Sequence, residues 1–264
     1  MQKSFVSSIT ICTIFIFSLS GLAQQKTKRS NASFPPPAPS KPVPFDPIRE
    51  ADRLFAHGED PGRDRQSLET IERALAADGN NYQLLWRAAR SYFFVGDTAS
   101  NKSEKVGYFD KGIAIAQRAI AQQPNAVEGH FWLAVNYGGQ SELKGIITAV
   151  QTVKKIRAEM EAVLRINAAY EDASAYLALG EIDRQLPRLL GGNSKRGLSY
   201  FEQGVRLAPN NLDLKLSLAE AYLEDGRKDE GRRLLQEIVQ APVNPARAKE
   251  IRHIQDKARK LLSK

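Results

Sequence analysis

The sequence predicts an all-α protein, a solenoid of about five helical hairpins followed by a C-terminal capping helix. Four small residues recur at separations of 45, 44 and 41 positions, and a fixed period of this length is typical of stacked repeats. Three positions after three of these residues, almost one helical turn later, stands a tyrosine. No stretch alternates apolar and polar residues as a half-buried strand does. The repeated positions are Ala89, Ala134, Ala178 and Ala219, and the tyrosines are Tyr92, Tyr137 and Tyr222.

Residues 1–23 have the layout of a secretory signal peptide. Lys3 gives a basic start, an apolar run extends from Phe5 to Leu22, and cleavage is expected after Ala23. An uncleaved membrane anchor is the alternative, although the run is short for a span. Cys12 is the only cysteine and has no lipobox around it, so a cleaved chain would have no disulfide, thiolate metal site or cysteine nucleophile.

Residues 24–45 are predicted to form a proline-rich linker. Seven of the thirteen prolines lie between Pro35 and Pro47, and such a stretch favours an extended chain. A spacer is the main interpretation, and a proline-rich ligand for a partner domain is the alternative. Asp46 and Pro47 then predict a helix start, which opens a helical-repeat domain over residues 46–264.

The helices are predicted from apolar periodicity and from the breaks between the apolar segments. The last helix carries an apolar stripe from Ile251 to Leu261 that suits a cap over the open end of the stack. The expected pairs are 46–57 with 64–77, 81–95 with 104–122, 126–138 with 144–166, 170–185 with 194–207 and 211–225 with 228–240, and the capping helix covers about 245–262.

Extra residues in the three middle repeats are assigned to the turn inside each pair, at 96–105, 138–144 and 186–194. Such turns emerge on one edge of a solenoid, which is commonly the binding side. In the third turn, Pro187 cannot continue a helix and Gly191-Gly192 gives backbone freedom. A turn that merely joins two helices is the alternative.

The repeat resembles the tetratricopeptide repeat, with Pro124 and Pro209 ten positions before the small residue at that family's spacing. A narrower resemblance, over about residues 46–262, is to the T component of tripartite (TRAP-type) transporters. The residues that carry it are Glu128-Gly-His-Phe-Trp-Leu-Ala-Val-Asn-Tyr-Gly138, Lys144-Gly145, Met160-Glu161, Leu186-Pro-Arg-Leu-Leu-Gly-Gly192 and Tyr200-Phe201.

That resemblance implies a periplasmic, oligomeric scaffold with an apolar pocket or pore, working beside a periplasmic solute-binding protein. The chain departs from the family because it lacks a lipoprotein cysteine. Eukaryotic regulators of microtubule dynamics look distantly similar in the same helical region, but a secretory signal points away from that cellular role.

The sequence favours a binding protein over an enzyme. The three histidines lie in different repeats and show no metal-ligand spacing, and no nucleophile elbow or phosphate-binding glycine loop is present. We therefore expect no catalytic residue, metal or cofactor. The pI is near 9.5, but the basic residues are spread and export would separate the chain from nucleic acid, so no nucleic-acid partner is expected.

The candidate binding residues belong to the groove and to the third turn. For the aromatic side chains, packing in the core is the first interpretation and direct ligand contact is the alternative. His130 is likewise interpreted first as a packed or groove-lining residue. Asn136 is a polar amide in an apolar helix, where it fixes a ligand or satisfies a backbone group. The candidates are Trp86, Tyr92, His130, Phe131, Trp132, Asn136, Tyr137, Leu186, Pro187, Gly191 and Gly192.

Two functions remain open. The first is an exported scaffold for protein–protein interaction in the cell envelope, with a broad groove and accessory to a TRAP-type system. The second is a periplasmic carrier that holds a small hydrophobic ligand in a tunnel lined by Trp and Phe.

Overall fold

A computed structural model describes residues 45–55, 61–143 and 146–263 of the 264-residue chain. The predicted signal peptide and, apart from Phe45, the predicted linker lie outside the described residues. Within those ranges the chain forms eleven α-helices and no strand, which confirms the all-α class. The helices are α1 Pro47–Phe55, α2 Pro61–Ala77, α3 Tyr82–Thr98, α4 Lys102–Gln122, α5 Val127–Leu143, α6 Ile146–Asn167, α7 Tyr170–Gln185, α8 Ser194–Leu207, α9 Leu212–Glu224, α10 Lys228–Gln240 and α11 Ala248–Leu262.

Side-chain caps fix where several helices begin. The Asp46 carboxylate accepts a hydrogen bond from the backbone N–H of Ile48, as expected from the sequence. Four asparagines cap later helices in the same way, because a side-chain oxygen at this position satisfies an N–H group that has no partner within the helix. They are Asn81 before α3, Asn101 before α4, Asn193 before α8 and Asn211 before α9.

Consecutive helices pack as antiparallel hairpins, and the hairpins stack into a solenoid. The odd-numbered helices also approach one another across repeats, at α3–α5, α7–α9 and α9–α11, so they form the inner row and the even-numbered helices form the outer row. Helix α5 is central, because every residue from Phe131 to Ser141 is buried.

The repeated tyrosines have one structural role in three repeats. Each pairs with the residue twenty positions earlier, on the preceding outer helix: Tyr92 donates to Glu72 over 2.5 Å and Tyr222 donates to Glu202 over 3.0 Å. Tyr137 accepts from Gln117 over 3.3 Å. These bonds join neighbouring helices at the positions that the repeat pattern singled out.

Two of the three predicted turn insertions are largely helix: the first keeps a short break at residues 99–101, and residues 144–145 after the second lie outside the described residues. Helix α3 continues through Gly96 to Thr98, and α5 continues through Gly138 to Leu143. The glycines there permit close packing rather than turning, since a Cβ on Gly139 would lie 2.6 Å from the Phe109 ring. Most of the described extra residues in the first two insertions therefore lengthen helices, whereas the third insertion forms a turn that contains a short 3₁₀ helix.

No helix in the described part of the chain combines the length and apolar character needed to cross a membrane.

Candidate functional site

The predicted groove aromatics of α5 pack as core. Phe131 and Trp132 are both fully buried. They belong to a row of rings that crosses the inner helices, with successive centroids 5.0, 6.0, 5.3 and 5.1 Å apart. Rings at these separations are in favourable contact with each other. The row is Phe55, Phe94, Trp132, Phe131 and Tyr170.

Asn136 connects two inner helices. Its amide nitrogen donates to the carbonyl oxygen of Ala89 on α3 over 3.0 Å and to that of Trp132 on its own helix over 2.8 Å. The side chain is fully buried, and Gly112 of α4 leaves the space for it. Two roles were considered for this amide, fixing a ligand and satisfying a backbone group. In the structure its nitrogen satisfies two backbone carbonyl groups.

His130 connects the start of α5 to α6. Its Nδ1 lies 2.6 Å from a carboxylate oxygen of Glu159, and its Nε2 lies 2.9 Å from the carbonyl oxygen of Pro124. Tyr92 and Tyr137 are buried apart from their edges and face the outer helices, as described above.

A charged cluster lies on the inner helices beside Trp86, and we call it the Arg90 cluster: Asp52, Trp86, Arg87, Arg90 and Glu171. Asp52 accepts hydrogen bonds from Arg87 and Arg90, each as short as 2.8 Å. The guanidinium carbon of Arg90 lies 3.9 Å from the Phe55 ring centroid, and that of Arg87 lies 4.1 Å from the Trp86 centroid. Within the described residues, Arg90 Nε has no hydrogen-bond partner.

Glu171 joins this cluster from the start of α7. Burial raises the pKa of its carboxyl to about 7, although the Tyr170 hydroxyl and Arg90 both act to lower it. A carboxyl with this pKa is divided between its neutral and charged forms near neutral pH.

Glu171 projects from an unusual turn. Glu171, Asp172 and Ala173 have φ angles of 51°, 50° and 60°, which is left-handed backbone that non-glycine residues rarely adopt. Asn211 donates to the carbonyl oxygen of Asp172 over 2.9 Å and holds this left-handed turn against α9. The turn borders a cavity of about 410 Å³ whose wall includes Asn210 and Arg247, so this cavity is partly polar.

The α7–α8 turn is well defined. A short 3₁₀ helix covers Arg188–Leu190, and Gly191 follows with φ of 91°, a value that favours glycine. Gly192 is also required by space, because a Cβ there would lie 1.8 Å from the carbonyl oxygen of Leu186. Leu186 is half-buried against the core, whereas Pro187 is exposed.

Asp183 anchors this turn from inside. It is fully buried, and it accepts from Arg157 over 2.6 Å and from Arg196 over 2.5 Å. Its carbonyl oxygen accepts from the backbone N–H of Asn193 over 2.9 Å. The two guanidinium groups hold the pKa of Asp183 below its usual value despite burial.

The anchored turn presents leucines to solvent. Leu189 is 98% exposed and Leu190 is 46% exposed. Because these two leucines are adjacent, they give the turn a small apolar surface, and contiguous apolar surface is the kind that marks interaction sites.

Beside this turn, the C-terminal ends of α7 and α9 carry three glutamates around one arginine. Arg184 binds Glu181 over 2.9 Å, Glu220 over 3.2 Å and Glu224 over 2.8 Å. We call these four residues the glutamate cluster. Glu181 occupies the position that holds tyrosine in the other three repeats.

Sequence reasoning named the third turn and the repeated tyrosines but missed the charged clusters. Arg90 gave a local signal, since it is a charged residue inside an apolar helix. Glu181 gave another, because it breaks the tyrosine pattern. Glu171 gave no local signal in the sequence, because its burial depends on contacts with elements that are distant in sequence.

Comparisons with known proteins divide the chain near the α7–α8 turn. The family model described as "Regulator of microtubule dynamics protein 1-3" matches residues 47–185. A tetratricopeptide-repeat model matches residues 189–252.

Curated relatives include regulator of microtubule dynamics protein 3 of Rattus norvegicus, 24% identical over 155 residues that cover 59% of this chain and 32% of that protein. The Bos taurus protein of the same name is 23% identical over 211 residues, covering 74% of this chain and 44% of that protein. The chain thus spans less than half the length of these relatives.

A solved structure of a thermophilic tetratricopeptide-repeat protein from Thermus thermophilus superimposes with a TM-score of 0.59 at 21% identity. The match covers 80% of this chain and 96% of that chain, and it shows a shared fold. The predicted tetratricopeptide-type solenoid is confirmed, as is the distant similarity to the microtubule regulators. The resemblance to the TRAP-type T component stays a prediction.

Proposed function

The chain belongs to the regulator of microtubule dynamics protein 1-3 family, and from this premise we propose that it is a non-catalytic helical-repeat scaffold that binds another protein. The contact surface in this proposal is the α7–α8 turn together with the adjoining ends of the inner helices. Stacked helical repeats suit this role, because they hold several elements in fixed register along an extended surface.

One observation carries the proposal, the exposure of Leu189 on a turn that the rest of the chain holds in place. An apolar side chain gains free energy when a partner covers it, at roughly 25 cal/mol for each Å² removed from water. Since Asp183 and the two glycines fix the turn, little ordering would oppose binding.

The cellular setting in this proposal rests on the N-terminal sequence. A signal peptide over residues 1–23 would export the chain to the periplasm or cell envelope, where a solute-binding protein of a TRAP-type system is the candidate partner. Fractionation of cells that express the full chain tests export. Recovery in the cytosol with residues 1–23 retained would contradict it.

The partner surface is tested by site-specific photo-crosslinking in the full chain. A photoreactive residue at Leu189 should form a discrete adduct with a partner protein, whereas the same residue at Leu207 should not. Leu207 is a control of the same residue type, partly exposed at 47%, and it lies at the end of α8 that is distant along the helix from the α7–α8 turn. Equal labelling at both positions would argue against a specific surface.

Family membership favours a second candidate, the regulation of microtubules that the relatives' names describe. Co-sedimentation of the purified chain with microtubules tests this candidate directly. Saturable co-sedimentation would support the microtubule role and weigh against an envelope role. A chain that stays in the supernatant would leave the envelope scaffold as the better proposal.

Native mass spectrometry tests the remaining alternative, a carrier of small hydrophobic ligands. The aromatic side chains expected to line its tunnel instead pack against one another, as Phe131 and Trp132 do. A purified chain that retains a small apolar molecule until denaturation would revive the carrier function. A mass equal to that of the chain alone would favour the scaffold.

A further inference from the structure

The inner and outer helices of the central repeats differ sharply in charge. Helices α5, α7 and α9 together hold nine acidic and two basic residues, a net charge of −7. Their outer partners α6, α8 and α10 hold ten basic and six acidic residues, a net charge of +4. The whole chain has a net charge of +8, so acidity on the inner helices is a local property.

The glutamate cluster concentrates this charge in one place. Within the described residues Arg184 forms the ion pairs with Glu181, Glu220 and Glu224, and Lys257 of α11 acts on Glu220 from a longer distance, so three carboxylates face two cations. The cluster lies in the last turns of α7 and α9, where the helix dipoles add negative potential. Burial, with a smaller effect of Glu181 and Glu224, raises the pKa of Glu220, although Arg184 and Lys257 both act to lower it.

An unsatisfied oxygen gives independent evidence that the cluster is incomplete. Glu181 is only 2% exposed, and its Oε1 has no hydrogen-bond partner within the described residues. Its Oε2, by contrast, accepts from both Arg184 and Gln185. A buried carboxylate oxygen without a donor costs free energy.

A cationic side chain from a partner would offset the excess negative charge of the cluster and would allow Glu181 Oε1 to gain a hydrogen-bond donor. If a cationic side chain bound Glu220 and Glu224, Arg184 would no longer be divided among three carboxylates. Its guanidinium could then bind both oxygens of Glu181 in the bidentate geometry that arginine favours.

We propose that the glutamate cluster and Leu189 together form a docking surface for a basic segment of a partner protein, with lysine or arginine beside apolar residues. This inference rests on the proposed scaffold function and adds the chemistry of the partner. The basic side chain would bind Glu220 and Glu224, and the apolar residues would cover Leu189 and Leu190 on the turn that begins directly after Gln185.

A defined peptide tests the proposal with the full chain. The probe is a fluorescent short peptide of alternating leucine and lysine, titrated against the protein by anisotropy. Matched peptides replace lysine with glutamate or leucine with serine. We expect binding of the leucine–lysine peptide alone, weakening steeply between about 50 and about 300 mM salt because the contacts are ionic.

Variants then locate the binding. Glu220→Gln with Glu224→Gln should weaken binding about tenfold, equivalent to about 1.4 kcal/mol. Leu189→Ser should also weaken it, and this fully exposed position carries little risk to folding. Glu69→Gln is the control, because Glu69 is an exposed glutamate on α2 outside the cluster.

The proposal is overturned if no peptide binds, if the leucine–glutamate peptide binds equally well, or if the double glutamine variant keeps full affinity. Photo-crosslinking at Leu189 separates this failure from failure of the scaffold function. If a partner crosslinks at Leu189 equally well in the parent and in the Glu220→Gln, Glu224→Gln variant, the scaffold function stands but its partner does not bind through a basic segment.

Discussion

Glu171 is the residue whose ionisation most directly links the inner helices to solution conditions. Its folded pKa is about 7, against an ordinary value of 4.5. Below pH 4.5 the carboxyl is protonated in both the folded and the unfolded chain. As pH rises toward 7, only the unfolded chain ionises freely, so the free energy of unfolding falls across this window and stays lower above it.

Replacing Glu171 with glutamine should remove this contribution. We expect the free energy of unfolding of Glu171→Gln, measured with urea, to exceed that of the parent by about 1–2 kcal/mol near pH 8. Near pH 4 the two proteins should have similar free energies of unfolding. Comparison between variants is needed because the pKa of Asp213, raised to about 6 mainly by burial, gives the parent a second contribution of the same sign. Glu69→Gln should keep the parent's pH profile, and an unchanged profile in Glu171→Gln would show that this carboxyl is not the cause.

The left-handed turn at the start of α7 makes a prediction at the scale of an element. Left-handed backbone costs roughly 1–2 kcal/mol for each non-glycine residue. Asp172 is exposed, and its hydrogen bond to Asn211 uses the backbone carbonyl. Asp172→Gly should therefore raise the free energy of unfolding by about 1 kcal/mol, because the conformational strain outweighs the added freedom of the unfolded chain.

Asp229→Gly is its matched control. Asp229 is also an exposed aspartate in the first turn of a helix, α10, but it has no left-handed backbone. The same substitution there should lower the free energy of unfolding by about 1 kcal/mol. Equal losses at both positions in urea unfolding would mean that the turn at α7 carries no relievable strain.

Glycines inside α4 and α5 give a second prediction about elements. Gly139→Ala should lower the free energy of unfolding by about 1–3 kcal/mol, because its Cβ would lie 2.6 Å from the Phe109 ring. Gly107→Ala should raise it by about 1 kcal/mol, since a Cβ there meets nothing within 4 Å and alanine favours helix. Thermal unfolding of the Gly139→Ala and Gly107→Ala variants tests this prediction. If both substitutions stabilise the protein, α4 and α5 are not closely packed at Gly139.

These glycines also show where sequence reasoning succeeds and where it stops. Periodicity predicted every helix pair, because a helix that buries one face has apolar residues at regular local spacing. Gly96 and Gly138 were assigned to turns, yet both lie within helices. A glycine that ends a helix and one that admits a neighbouring ring look alike in sequence, and only the partner helix distinguishes them.

The candidate site was less predictable for the same reason. The turn from Leu186 to Gly192 could be recognised, because proline and paired glycines constrain the local backbone. Its anchoring by Asp183 and the sharing of Arg184 among three glutamates join α7 to α6, α8 and α9. Such contacts depend on the stacking of repeats, and no local spacing encodes them.

At the scale of the whole molecule, the three core clusters run from α1 to α3, from α3 to α7 and from α7 to α11. Each cluster shares a helix with the next, as expected of a solenoid in which a repeat is stabilised by its neighbours. Among the described helices, α1 and α11 contact a neighbouring repeat on one side only, whereas α5 packs against α3, α4 and α6. Local stability should therefore decrease from the centre toward both ends.

Hydrogen exchange measured by mass spectrometry tests this gradient. Backbone amides of α5 from Phe131 to Ser141 should exchange most slowly, since every residue in that stretch is buried. Amides of α1 and α11 should exchange at least about tenfold faster, because opening an end breaks one interface and leaves the central stack intact. If α1 or α11 were protected as strongly as α5, the chain would unfold only as a single cooperative unit. In that case the α7–α8 turn would owe its fixed shape to the whole stack rather than to Asp183 and its two arginines.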